Sequence, residues 1–182
     1  LDATRQHLSW HRLTFEYIKE NLSIPLWNPY NYSGVPHTAN IQTFIFNPFN
    51  VLFLFLPLFP AWILFIVLQF PVAALFTYIF SRSLGLSKIS SLFVGISFIF
   101  SSYIIFWLEI GIVGYSVMWL PLMLYSIQNL LSNFKIRYLF LLVFSSCISI
   151  FSGHIQIVIF NFLISSAFWI FKSLSSDKET RL

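Results

Sequence analysis

Residues 61–80 read AWILFIVLQFPVAALFTYIF, a run without a single charged side chain. As a helix, those 20 residues rise about 30 Å, the thickness of a bilayer's hydrocarbon core. Pro71 carries no backbone donor and is placed to kink the helix. Further apolar runs follow at Ile89–Leu108, at Tyr115–Leu131 with Pro121 near its outer end, at the short and Ser-rich Ile136–Phe151, and at Ile155–Phe171. The expectation is an all-α integral membrane protein of about five transmembrane helices. A bundle over 61–172 (61–80, 89–108, 115–131, 136–151, 155–171) would follow a first loop over 1–60 and precede a cytoplasmic tail or loop over 173–182.

Composition supports a lipid solvent. Hydrophobic residues make up 58% of the chain and charged residues 9%, against roughly 45–50% and about 25% in soluble domains. With 23 Phe among 182 residues, a soluble fold would have an oily surface, whereas lipid solvates the outward face of each helix. The formal charge of +4 is spread without a dense basic run, so no nucleic-acid partner is expected. The single cysteine, Cys147, lies in an apolar segment and reads as a small buried hydrophobe. The chain opens at Leu1 without a signal-peptide pattern and is read as an internal piece of a longer protein.

The first 43 residues hold six of the 16 charges. Leu8–Ile18 has helical periodicity, and Asn21–Ser23 is placed to end that helix. Pro25-Leu26-Trp27-Asn28-Pro29-Tyr30 and Ser33-Gly34-Val35-Pro36 read as turns. Val51–Leu58 is too short to span and reads as a re-entrant or interfacial piece. Orientation comes from the short connections. Arg82 and Lys88, Lys135 and Arg137, and Lys172, Lys178 and Arg181 fall on alternate ends, while Glu109–Gly114 and Ser152–His154 carry no Lys or Arg. The positive-inside rule puts the basic ends in the cytoplasm and residues 1–60, Glu109 and His154 on the far side.

Polar groups gather on that far side: Asp2, His7, His11, Trp27, Asn28, His37, Asn40, Gln42, Glu109, His154 and Gln156. Such a collection at a membrane surface is a candidate site for a lipid-linked substrate with a polar head. Each member also has a plainer reading. Asp2 is either a helix N-cap or a general base or cation ligand. Glu109 marks the membrane boundary, and Trp27 and Tyr30 fit an aromatic belt. Gly153 suits a helix C-terminus and His154 a polar turn. No Cys-x-x-Cys, Gly-x-Ser-x-Gly elbow, P-loop or Rossmann fingerprint is present.

The order of the blocks adds a further expectation. Asp2-x-x-x-Gln6, Pro25–Tyr30, Ser33–Pro36, Ala39-Asn40-Ile41-Gln42, Phe46–Asn50, Leu84-Gly85-Leu86-Ser87, Trp119–Leu122 and Gly153-His154-Ile155-Gln156-Ile157 resemble, in sequence order, blocks of the bacterial YfhO-like membrane protein family. Ile41 and Ile155 stand where that family often has Pro. The family is similar to the GT-C membrane glycosyltransferases, which take sugars from polyprenyl-phosphate carriers outside the cytoplasmic membrane. The resemblance implies a GT-C-like fold in a bacterial inner membrane. It makes Asp2 the catalytic residue, with Gln6, Trp27, Asn28, His37, Asn40, Gln42, Glu109, His154 and Gln156 around the substrate. The partners it implies are a lipid-linked sugar donor, an envelope polymer or lipid acceptor, and membrane lipids. A divalent cation, Mg or Mn, belongs to the same expectation, with its ligands unknown. Two other functions stay open: a transporter or flippase of lipid-linked glycan, and a non-catalytic envelope assembly subunit.

Overall fold

A computed structural model describes residues 3–108 and 110–179. The chain is mostly helical. A π-helical turn, Ala3–His7, leads into α1 (Leu8–Asn21), which ends where Leu22 turns left-handed (φ 51°) and returns its N–H to the Ile18 carbonyl. A two-stranded antiparallel ribbon follows, β1 (Trp27–Asn28) on β2 (Val35–Pro36), with Trp27 opposite Pro36. Two 3₁₀ turns, Ile41–Thr43 and Pro48–Val51, are each capped by an Asn side chain, Asn40 on the Gln42 N–H and Asn47 on the Phe49 N–H. The short α2 (Leu52–Phe55) then delivers the chain to α3 (Leu58–Ser83).

The rest is a helical bundle: α4 (Lys88–Ile99), α5 (Ser102–Phe106), α6 (Ile112–Val117), α7 (Leu120–Ser132), α8 (Ile136–Phe151) and α9 (Ile155–Glu179). Among the described residues, three helices are long and apolar enough to cross a membrane: Leu58–Ser83, Lys88–Phe106 and Ile155–Ser175. Ile136–Phe151 is apolar but shorter. Ring contacts give the directions. Phe70 meets Phe100, so α4 runs antiparallel to α3, and Phe80 meets Phe168, so α9 runs parallel to it. Trp119 on Phe76 and on Phe144 places α7 along α3 and against α8. One end of the bundle therefore carries residues 3–57, residues 107, 108, 110 and 111, and the 152–154 turn. The opposite end carries Arg82, Lys88, Lys135, Arg137 and Lys172.

The helices are patterned inside out relative to water-soluble ones. The buried stripe of α3 is Ala61, Phe65, Gln69, Ala73, Thr77 and Ser81, a four-residue repeat. That of α4 is Ser91, Gly95 and Ile99, and α8 and α9 bury Ser145, Ser149, Asn161 and Ser165. The outward positions are the large ones, among them Phe93, Phe140, Leu163 and Phe171. Small inner residues let backbones approach: a Cβ on Gly95 would lie 3.0 Å from the Ala74 carbonyl oxygen.

The structure departs from the sequence expectation at several points. The run expected as one helix at 115–131 is broken into α6 and α7 at Met118–Trp119, just before Pro121. Pro121 cannot donate to the preceding turn, which favours the break. At the break, the Ser116 carbonyl accepts from Asn161 Nδ2 at 2.8 Å and Ser149 Oγ at 3.1 Å. The 89–108 run is also interrupted, at Phe100–Ser101 between α4 and α5. The final helix continues to Glu179, through most of the stretch expected as a tail. Cys147, expected to be buried, is exposed on the outer face of α8.

Candidate functional site

The residues expected to line a site divide into a group that meets at one cavity and a group that holds the surrounding loops. The cavity, of about 170 Å³, lies at the end of the bundle opposite the basic connections. It is lined by Gln6, His7, Gln42, Trp107, Ile110, Ile112, Val113 and His154. Gln6 comes from the turn before α1, Gln42 from the first 3₁₀ turn, and His154 from the turn before α9. Three sequence blocks far apart in the chain thus converge on one space.

Gly153 makes that convergence possible. Its φ of +95° suits glycine, and a Cβ there would stand 3.0 Å from Phe44 Cβ and 3.1 Å from the Ile41 carbonyl oxygen. The α8–α9 turn can therefore lie flat against the 3₁₀ turn that carries Gln42. His154 is half-buried, and its Nδ1 is buried without a hydrogen-bond partner among the described residues. A buried unpaired ring nitrogen costs about 1–3 kcal/mol, so it is poised for a partner from the cavity. Two amides, two imidazoles and an indole, with apolar walls, can hold hydroxyls or anionic oxygens in fixed orientation.

Behind the cavity sits a rigid platform. His11 is 1% exposed, and its Nδ1 lies 3.0 Å from the His7 carbonyl oxygen and its Nε2 3.2 Å from Asn50 Oδ1. Asn50 Nδ2 donates to the Phe44 carbonyl at 2.6 Å, which fixes its oxygen toward His11. Phe44, Phe53, Trp62 and Phe65 surround the ring. Burial lowers the His11 pKa to about 4, against hydrogen bonds that favour the charged form. His37 is also held below its ordinary value by burial. Thr14 Oγ1 donates its one proton to the Trp10 carbonyl at 2.8 Å and lies 2.8 Å from His37 Nε2, so the hydroxyl accepts from His37 Nε2–H.

The other expected residues have places in the loops. His37 is buried in the platform, away from the cavity lining. Asn28 is buried and accepts the Tyr30 N–H at 2.9 Å, making the turn after β1. Asn40 caps its 3₁₀ turn. Trp27 folds against Gly34, where a Cβ would approach its Nε1 to 2.5 Å; about half of its surface remains open. Gln156 is exposed on the first turn of α9. Asp2 and Glu109, the two acids of the expected site, lie outside the described residues.

Several participants were not singled out from the sequence. Trp107 lines the cavity. Gln69 is 1% exposed, with neither amide atom hydrogen-bonded among the described residues, beside Gly114, where a Cβ would lie 1.8 Å from Gln69 Oε1. Asn161 holds the α6–α7 break. A signal for the last two existed: they are the amide-bearing residues at mid-run in otherwise apolar segments. His7 and His11, four apart, share one face of the first helical stretch, but the His11 nitrogens both face oxygens of the fold. Among the described residues no three His, Cys, Asp or Glu side chains converge to hold a metal. Mg and Mn favour carboxylate oxygens, so no step through a metal is derived from these side chains.

Comparison with known proteins returns no matching family, curated protein or solved structure.

Proposed function

We propose that this chain is a membrane glycosyltransferase that moves a sugar from a polyprenyl-phosphate carrier to an envelope acceptor at the extracytoplasmic surface. The observation that carries this reading is the convergence of Gln6, Gln42 and His154 on one cavity. These residues belong to three of the blocks through which the sequence resembles YfhO-like and GT-C proteins. Inside-out helix patterning, and the placing of the basic residues beside the helix connections (Arg82, Lys88, Lys135 and Arg137) at the opposite end of the bundle, support a membrane setting with the cavity outside.

In this reading the donor's lipid lies along the helices and its phosphosugar enters the cavity. Asp2, four residues before Gln6, takes the proton from the acceptor hydroxyl. That oxygen attacks the anomeric carbon from the face opposite the leaving phosphate, the bond to the phosphate oxygen breaks, and the carrier departs as polyprenyl phosphate. His154 donates to a phosphate oxygen or a sugar hydroxyl, and Gln6 and Gln42 fix hydroxyls. Trp107 presents an aromatic wall to the sugar.

The test uses membranes containing the protein, with radiolabelled polyprenyl-phosphate hexose as donor and transfer to envelope polymer as readout. Asp2→Asn should lower transfer by about 10²–10⁴-fold, the usual worth of a general base. His154→Ala should lower it less, with the donor concentration dependence shifted. Equal transfer by wild type and Asp2→Asn would overturn the mechanism. Movement of the intact lipid-linked sugar between leaflets without transfer would favour a flippase instead.

A further inference from the structure

A second space lies apart from the cavity described above, an open groove of about 540 Å³ between α1 and the loop of the β1–β2 ribbon. The groove and the cavity lie on either side of the His7–Trp10 pair, whose rings meet edge-on at 5.4 Å: His7 lines the cavity and Trp10 the groove. On the α1 side Leu13, Glu16, Tyr17 and Glu20 form a stripe at three- and four-residue spacing. On the ribbon side stand Tyr30 and Asn31.

Two features suit this groove to one kind of ligand. First, Tyr30 is 81% exposed on a loop whose backbone is held where the buried Asn28 side chain accepts the Tyr30 N–H at 2.9 Å. Its exposed ring, across the groove from Leu13 and Tyr17, offers a flat face for ring C–H groups. Second, the charges are acidic in balance and unevenly engaged. Glu16 accepts from Arg12 Nε at 2.9 Å, whereas Glu20 has no ion pair among the described residues. A free carboxylate and an amide are acceptors for hydroxyls. The acid excess, two Glu against Arg12, disfavours phosphate-bearing strands.

We infer that this groove binds a neutral glycan strand, with Tyr30 and Tyr17 against sugar faces and Glu20 and Asn31 on hydroxyls. The binding is a property of the groove and does not rest on the transferase reading. Should both hold, the groove would present the acceptor strand to the cavity beyond the His7–Trp10 pair.

The experiment is ligand-observed NMR on the full chain in lipid nanodiscs. The probes are uncharged tetrasaccharides of hexose and of N-acetylhexosamine, with choline and a poly(glycerol phosphate) oligomer as alternatives. Saturable binding of at least one neutral tetrasaccharide is expected. Tyr30→Ala and Glu20→Gln should each weaken it by about tenfold, the equivalent of one aromatic contact or one charge-assisted hydrogen bond. Both positions are exposed, so these variants keep the fold, checked by circular dichroism. His154→Ala should leave this binding unchanged, which separates the groove from the cavity. The inference is overturned if no neutral tetrasaccharide binds at millimolar concentration, if binding survives both groove substitutions, or if choline or the phosphate oligomer binds in its place.

Discussion

Replacing Asn161 with Ala removes an amide that donates to the Ser116 carbonyl at 2.8 Å and to Ser149 Oγ at 3.0 Å. Ser149 Oγ still donates to the same carbonyl at 3.1 Å, so the break between α6 and α7 keeps one partner. Interhelical hydrogen bonds in membranes average about 0.6 kcal/mol and reach about 1.7, which puts Asn161→Ala at about 1–2 kcal/mol. Ser149→Ala alone should cost about 1 kcal/mol or less, because Asn161 continues to pair the carbonyl. The double variant leaves that carbonyl without either side-chain donor, and an orphaned buried acceptor costs about 1–3 kcal/mol. The two substitutions together should therefore exceed their sum by about 1 kcal/mol or more. The assay is reversible unfolding in mixed micelles, titrated with a denaturing detergent and followed by helical circular dichroism, for all four corners of the cycle. Additivity within about 0.5 kcal/mol would refute the reasoning. It would mean that the Met118–Trp119 break is held by packing alone.

Four other outcomes follow from particular contacts. The folded-state His11 pKa lies at about 4, below the ordinary 6.5, so the unfolded chain binds more protons between those values and stability should be lost as pH falls from 6.5 toward 4. The loss is at most about 3 kcal/mol; melts at stepped pH should show it for wild type, with a flatter slope in His11→Gln. Gly34→Ala combines a left-handed φ of +103° with a Cβ 2.5 Å from Trp27 Nε1, and should loosen the ribbon by about 1–3 kcal/mol, seen as faster proteolysis within 26–36. Gln69→Met replaces a buried amide without partners by an apolar chain of similar shape, and should raise stability by about 1–3 kcal/mol; an unchanged or lower midpoint would show that the amide has a partner in the membrane. In a Cys147→Ser background, Tyr32→Cys and Ser87→Cys should be labelled by an impermeant maleimide from opposite sides of sealed vesicles, and same-side labelling would overturn the topology.

Much of the architecture was legible because the long apolar runs and the polar or charged residues that flank them mark out helices. Ile136–Phe151 was read to its final residues from its flanks, the charged Lys135 before it and Ser152-Gly153 after it. The end of α1 was readable from Asn21–Ser23. Breaks inside apolar runs were not legible in the same way. Pro71 and Pro121 carry the same local signal, yet α3 runs through Pro71 while α6 and α7 part just before Pro121. The difference lies in tertiary partners: Ser116 finds Asn161 and Ser149, a pairing that no local pattern encodes. Cys147 was misplaced for a related reason. Helix burial in this chain selects small polar residues such as Ser145 and Ser149, so an apolar neighbourhood in sequence does not mean an inward position.

The candidate site shows a similar division between what sequence order and what packing decide. Gln6, Gln42 and His154 were nameable from their blocks, but Asn40 comes from the same block as Gln42, Asn28 from a neighbouring block and His37 from between two, and these three serve the loops. The distinction is one of geometry. An Asn two residues before a turn N–H satisfies that donor locally, as Asn28 and Asn40 do, and is then spent. His37 is buried against Thr14. A Gln has one more methylene, reaches past its own turn, and is left to face the cavity. His154 faces the cavity for a different reason, since Gly153 removes the side chain that would have held the turn off the Ile41–Thr43 backbone. Gly153→Ala should therefore act on the site before it acts on the bundle. A Cβ at 3.0–3.1 Å from Phe44 and Ile41, at a φ that Ala resists, would lift the turn and carry His154 away from Gln42. Expected is a loss of transfer comparable with His154→Ala, at a stability cost of about 1–3 kcal/mol. Full transfer by Gly153→Ala would mean that His154 does its work without that contact, and would remove the convergence on which the proposed function stands.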